Sequence, residues 1–197
     1  RRPARGVSSF IISSRLGYYL LVQLVAWVNV THNMIETERL ILRKMTEDDA
    51  EELLDLFSDP IAMQYFGVIF DRARMDKWVR SNLDHQDKHG FSLYSVVLKD
   101  NSEVIGDCGL ETDEIDGKFI VGIGFDFRRA YWGNGYATEA AIAVLKFGFA
   151  QFEFDSIYGW IDPKNVPSRR VAERIGMTME KSVIRGGKEY ALYRIDK

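Results

Sequence analysis

The chain has 197 residues, with 26 basic against 29 acidic side chains and a formal net charge of −3. That is length for one sizeable core. The acidic balance sharpens when residues 1–33 are set aside, since they hold Arg1, Arg2, Arg5 and Arg15 and no acid; it argues against a nucleic-acid-binding surface and for a cationic substrate. The lone cysteine, Cys108, excludes an internal disulfide and points to a reducing compartment, the cytoplasm.

Within residues 1–33 the apolar run from Gly17 to Val30 is broken by Gln23 and Asn29 and is shorter than the roughly 20 residues of a bilayer span. No small-residue cleavage site follows it, and domain-like sequence begins at Met34. Residues 1–33 therefore read as a non-native or mis-started leader, with a docked helix or a membrane contact as alternatives, and residues 34–197 as the domain. Leu40 and Leu42 mark a first strand. Thr46 followed by Asp49 reads as the start of a helix that buries Leu53, Leu54 and Phe57 and stops at Pro60. A second helix is predicted from Asp71 to Gly90, burying Met75, Trp78, Val79 and Leu83. His85 and His89 share its face, but Gln86 stands where a zinc protease needs glutamate, so both read as solvated surface and no metal is implied.

Three strand-like segments follow, 91–99, 104–112 and 118–128, joined by polar turns. Cys108 lies in the second as a small buried hydrophobe, with no nearby histidine to activate it. In the third, Val121, Ile123, Phe125 and Phe127 alternate with Gly122, Gly124 and Asp126, the period of a strand. After Gly135 the apolar spacing becomes helical, through Ala137, Ala140, Ala141, Val144, Leu145, Gly148 and Phe152. The loop Trp132, Gly133, Asn134, Gly135 thus joins strand to helix. Its glycines permit turn conformations closed to other residues, and the unpaired N–H groups at the helix start suit a phosphate, though a tight turn alone accounts for two glycines equally well. A strand over 156–162, a helix introduced by Asn165 with Pro167 in its first turn and Gly176 after it, and two strands joined by Arg185 to Lys188 complete the chain.

The front run Glu36 to Arg43, the run from Trp132 to Ala140, and Asn165 and Ser168 leading to Arg174, Ile175 and Gly176 resemble, together and in this order, the GCN5-related N-acetyltransferase superfamily. Within it they are similar to the ribosomal-protein N-terminal acetyltransferases of the RimJ and RimL type, over residues 35–196. The resemblance implies a mixed, mostly antiparallel sheet flanked by about four helices in a single α/β (α+β) domain. It also implies an enzyme that moves an acetyl group from acetyl-CoA, its co-substrate, to a primary amine, a protein N-terminus or a small molecule. The partner classes are then the amine acceptor and, left open, a second copy of the chain in a homodimer; nucleic acid is not expected and a membrane is not favoured. A catalytically silent acyl-CoA-binding module is the alternative. A dinucleotide oxidoreductase needs a third glycine that the loop lacks.

In the superfamily this loop holds the pyrophosphate of the donor. Here Trp132, Gly133, Asn134, Gly135, Tyr136, Ala137 and Thr138 fall on it, and Trp132 replaces the usual Gln or Arg, which leaves the contact to backbone N–H groups with Arg128 or Arg129 as possible helpers. The resemblance lays the pantetheine arm along the backbone of Phe125, Asp126 and Phe127. It brings Asn165 to that arm and Ser168 to the thiol, as the acid for the leaving group, because the tyrosine usual four residues on is Ala172. Asn165 is equally well explained as a helix cap. A neutral amine must attack, so a base is needed; Asp126 is the first candidate and Glu111 the second, with a water chain as a third route. Met63 to Asp76 and Arg185 to Tyr190 fall where acceptors bind in the superfamily.

Overall fold

The front edge of the sheet is built by three short antiparallel strands, β1 (Asn29–Thr31), β2 (Met34–Glu36) and β3 (Leu40–Lys44). The computed structural model describes residues 29–31, 34–115 and 117–197, so the leader reading lies, apart from β1, outside the described residues. Leu40 and Leu42 are fully buried, as a period-two face requires. Helix α1 (Asp49–Phe57) starts later than Thr46, because the N–H groups of Asp49, Ala50 and Glu51 donate to carbonyls three residues back in tight turns, although the Asp49 carboxylate does accept the Thr46 N–H at 2.8 Å as the sequence reading expects. It buries Ala50, Leu53, Leu56 and Phe57, and it closes at Ser58, ahead of Pro60. In α2 (Arg72–His89) the Asp71 side chain caps the Arg74 N–H at 2.8 Å and Gly90 closes the helix at φ 80°.

Strands β4 (Leu93–Leu98), β5 (Val104–Ile115) and β6 (Lys118–Phe127) form an antiparallel meander, Gly117 at φ 77° turning the β5–β6 hairpin. After it come α3 (Tyr136–Gln151), β7 (Ser156–Ile161), α4 (Val166–Arg174), β8 (Thr178–Arg185) and β9 (Lys188–Asp196). The sheet runs β1-β2-β3-β4-β5-β6-β7-β9-β8, antiparallel throughout except at β6–β7. Among the described residues this is the mixed, mostly antiparallel sheet with four helices that the resemblance implies. One face packs on α3, through Cys108, Leu110, Ile123 and Phe127; the other packs on α1 and α2, through Leu93, Val97 and Val104. At Gly148 a Cβ would lie 2.7 Å from Leu110, so the glycine lets α3 sit close to the sheet.

His85 is not solvated surface. Its Nδ1 lies 2.8 Å from the Phe91 carbonyl and its Nε2 is 3.2 Å from the Thr112 N–H, which can only donate. Nε2 therefore accepts and Nδ1 carries the proton, and the ring fastens α2 to β5. Spacing along one helix identifies the face, whereas the partners come from strands distant in sequence.

Candidate active site

The site is built where the sheet opens. Strands β6 and β7 run parallel and share one registered pair, Gly122 with Tyr158. Among the described residues no registered pair joins their carboxyl ends beyond it, the place where α/β sheets receive ligands. Which backbone groups face the gap follows from the peptide plane. The Arg128 N–H donates to Ile105 on β5, so the Phe127 carbonyl, on the opposite side of the same planar peptide, points away from β5 into the gap. Because successive residues alternate, Phe125 also presents its N–H and C=O to the gap, while Asp126 turns its own toward β5. A Cβ at Gly106 on β5 would accordingly meet the Asp126 carbonyl at 2.1 Å. The Asp126 backbone is thus removed from the predicted pantetheine edge, leaving that of Phe125 and Phe127. The Phe127 carbonyl already accepts the Trp132 indole N–H at 2.6 Å.

The Asp126 side chain does reach the cleft. Asp126 lies opposite Asp107 on β5, and Glu111 lies opposite Gly122, so the three carboxyl groups share one face of the sheet. Gly122 and Gly124 keep this floor low: a Cβ at Gly124 would stand 4.0 Å from a Glu111 carboxylate oxygen, and one at Gly122 would stand 3.8 Å from the Trp160 indole nitrogen. Burial, and then the Glu111 charge, push Asp126 from 3.8 up to about 7. Glu111 is open to the cleft, yet the surrounding protein and Asp113 raise it, while Arg185 draws it down. Asp107 is fully buried, its two oxygens have no hydrogen-bond partner among the described residues, and burial with the Asp126 charge drives it well above the carboxylate range. Two carboxylates facing each other in such surroundings do not both ionise near neutral pH. Cys108 behind them is buried, as expected, and its thiol is pushed up by burial and by these acids.

At the end of β6 the chain makes a 3-10 turn and enters the glycine loop. Gly133 and Gly135 take φ 80° and 83°, a region other residues avoid. No side chain caps α3; its first returning bond runs from Glu139 N–H to Gly135 O, which leaves the N–H groups of Tyr136, Ala137 and Thr138 outside the helical ladder. Both neighbouring arginines are paired with acids outside the loop. Arg128 is held by Glu103 at 2.6 Å and Asp55 at 2.9 Å, and Arg129 by Asp59 at 3.1 Å. The cation at the loop is Arg39 instead. Its guanidinium donates through Nε to Glu139 at 2.7 Å and through Nη1 to the Asn134 carbonyl at 2.9 Å, and stacks 4.4 Å over the Tyr136 ring.

On the β7 side, the Asn165 side chain caps α4 by accepting the Ser168 N–H at 3.2 Å. Ser168 is half-buried on the helix face that carries Val171 and Ile175, and Ala172 is fully buried. The far rim is held by the β8–β9 turn. Arg185 pairs with Asp113 at 2.7 Å and lies 5.1 Å over Trp160; Lys188 pairs with Asp162 at 2.8 Å and donates to the Tyr65 carbonyl.

Asp107 and Trp160 carry no mark in the sequence, since one sits inside an apolar run and the other looks like a core aromatic. Arg39 and Glu139 do, because both belong to runs that carry the family resemblance. The site therefore combines a split parallel strand pair, a loop with free N–H groups at its mouth and a raised carboxylate on its floor. The model of the Acetyltransferase (GNAT) domain family matches residues 39–178, and the chain belongs to that family of N-acetyltransferases. Bacillus subtilis YkkB is 38% identical over 158 residues, covering 80% of this chain and 92% of its own. A solved GNAT-family acetyltransferase from Bacillus anthracis is 29% identical, covers 83% of this chain and 98% of its own, and superposes with a TM-score of 0.71. RimL, a ribosomal L7/L12 N-terminal acetyltransferase solved with coenzyme A, shares the fold at a TM-score of 0.71 and 18% identity over 83% of this chain and 98% of its own.

Proposed function

We propose that this protein transfers an acetyl group from acetyl-CoA to a primary amine by direct attack within a ternary complex. The observation that carries the reading is the β6–β7 gap, with Asp126 on its floor and the uncapped start of α3 at its mouth. The residues present fit the donor: Phe125 and the Phe127 N–H offer strand-like partners to the amides of an extended arm, and the loop offers N–H groups to a diphosphate. The donor brings an activated thioester. The acidic floor draws in an ammonium; Asp126 takes its proton, and the neutral nitrogen then forms its bond to the acyl carbon as the carbon–sulfur bond breaks. Gap-facing N–H groups stabilise the carbonyl oxygen as its charge grows, and the second proton, lost from the nitrogen as the amide forms, reaches the departing thiolate through Ser168 Oγ–H, which gives one proton and takes up the other. Glu111, which raises Asp126, acts as its partner rather than as a second base.

The acceptor is a cation, a protein N-terminus or a small amine. RimL supports the first class and aminoglycoside acetyltransferase AAC(6')-Ib, solved with ribostamycin and coenzyme A, the second. Isothermal titration with acetyl-CoA tests the first step, and a thiol-release screen of N-terminal peptides, aminoglycosides and polyamines tests the second. Failure to bind acetyl-CoA at millimolar concentration would sink the proposal.

A further inference from the structure

We infer that Arg39 is a positioning residue for the diphosphate of the donor, orienting the glycine loop from across the sheet; the inference rests on the reading just given and assigns a role to a residue outside the loop. Two oxygens of one carboxylate carry the junction. Glu139 accepts the Thr37 hydroxyl at 2.6 Å and the Arg39 backbone N–H at 2.9 Å on one oxygen, and the Arg39 guanidinium at 2.7 Å and 2.6 Å on the other. Thr37 is buried and fixed in turn, its hydroxyl accepting the Leu40 N–H at 2.9 Å. The runs at Thr37–Arg39 and at 133–139, about a hundred residues apart, thus form one unit.

The consequence for a ligand comes from the third arm of the guanidinium. Nη1 holds the Asn134 carbonyl. No described peptide bond is cis, and in a planar trans peptide the C=O of one residue and the N–H of the next point in opposite directions, so fixing the Asn134 carbonyl on Arg39 turns the Gly135 N–H the other way, out of the loop's opposite side. With Gly133 and Gly135 both at positive φ, this peptide could otherwise flip at little cost. Arg39 also answers a charge problem. Glu139 in the first turn suits the helix dipole, but a bare carboxylate there would repel the anion the loop receives; the guanidinium, which grips one of its oxygens through two nitrogens, cancels it, and Tyr136 lies against the guanidinium. Arg39 therefore acts by holding the loop peptide and by neutralising Glu139, its hydrogen bonds all going to the protein.

The discriminating experiment compares two donors and one non-reacting ligand. Calorimetry with 3′-phosphoadenosine 5′-diphosphate, the half of coenzyme A that carries the diphosphate, reads the loop without turnover; Arg39→Gln is expected to weaken it about tenfold, the scale of one charge-assisted hydrogen bond. In turnover, Arg39→Gln raises KM for acetyl-CoA by a similar factor with kcat little changed, and leaves kcat/KM for S-acetyl-pantetheine, which has no diphosphate, at the wild-type level. Equal losses with both donors, or unchanged binding of the bisphosphate, overturn the assignment. Should the glutamine variant not fold, Arg39→Lys makes the same comparison, since lysine keeps the charge but cannot fork between Glu139 and Asn134. Absence of wild-type binding overturns this inference together with the reading beneath it, whereas wild-type binding that both variants preserve overturns this inference alone.

Discussion

Glu111→Gln removes a charge from the cleft while keeping the side chain's shape, and its effect is read on Asp126. A carboxylate must be ionised to take a proton, so with Asp126 at about 7 the acid limb of kcat/KM for the amine falls as pH drops through about 7. Asp126 rises by about three pH units from 3.8, and burial is the larger of its two causes, so the Glu111 charge accounts for less than half. The variant should move the acid limb down by no more than about 1.5 pH units, about 2 kcal/mol at 1.36 kcal/mol per unit. The assay is continuous thiol release at subsaturating amine from pH 5.5 to 9, with one amine for both proteins so that its own titration cancels. Asp126→Asn should abolish the limb and most of the turnover. An acid limb that stays in place in Glu111→Gln, or moves up, refutes the electrostatic argument, and an undiminished rate in Asp126→Asn refutes the base assignment.

The same acids predict stability. Asp126 is raised on folding, so the native state keeps a proton that the unfolded chain releases; stability falls as pH climbs from about 4 to about 7, and the cost is complete above that. Asp126→Asn should therefore melt higher than wild type at pH 8 and alike near pH 4, and the partnerless Asp107, replaced by Asn, should stabilise in the same direction, both read by thermal denaturation at the two pH values. Gly106→Ala places a Cβ 2.1 Å from the Asp126 carbonyl and should cost more than about 3 kcal/mol in urea unfolding, or prevent folding. Ser168→Ala should lower kcat by about tenfold or more with unchanged acetyl-CoA affinity, measured by initial rates and calorimetry.

Much of this arrangement was legible because it is local. The switch from period two to helical spacing at Gly133 and Gly135 places the loop, and the N-caps at Asp71 and Asn165 place their helices, since each depends on residues within a turn of one another. The site's chemistry was legible in part: Asp126 stands on the cleft floor, but its backbone faces β5, because side-chain alternation along a strand does not say which edge is paired. Arg128 and Arg129 sit beside the loop in sequence and are drawn off by Glu103, Asp55 and Asp59, whereas Arg39, far away, is the cation that arrives. His85 and Asp107 escaped for the same reason, as register across strands decides what each one faces.

The single bridge between Gly122 and Tyr158 has a mechanical meaning. Strands β1 to β6 and strands β7 to β9 are two leaves whose edges meet at one registered pair, and the Arg185–Asp113 pair, the Lys188–Tyr65 contact, the helices and the core shared by Leu110, Ile123, Ile157 and Tyr193 also fasten them. On the proposed reading an extended donor lying between the leaves would supply the missing seam, and the substrate would then be a structural member of the fold during each turnover. Amides flanking the gap should exchange with solvent fast in the free protein and slowly in the loaded one, and release of the spent thiol then amounts to unpicking a strand.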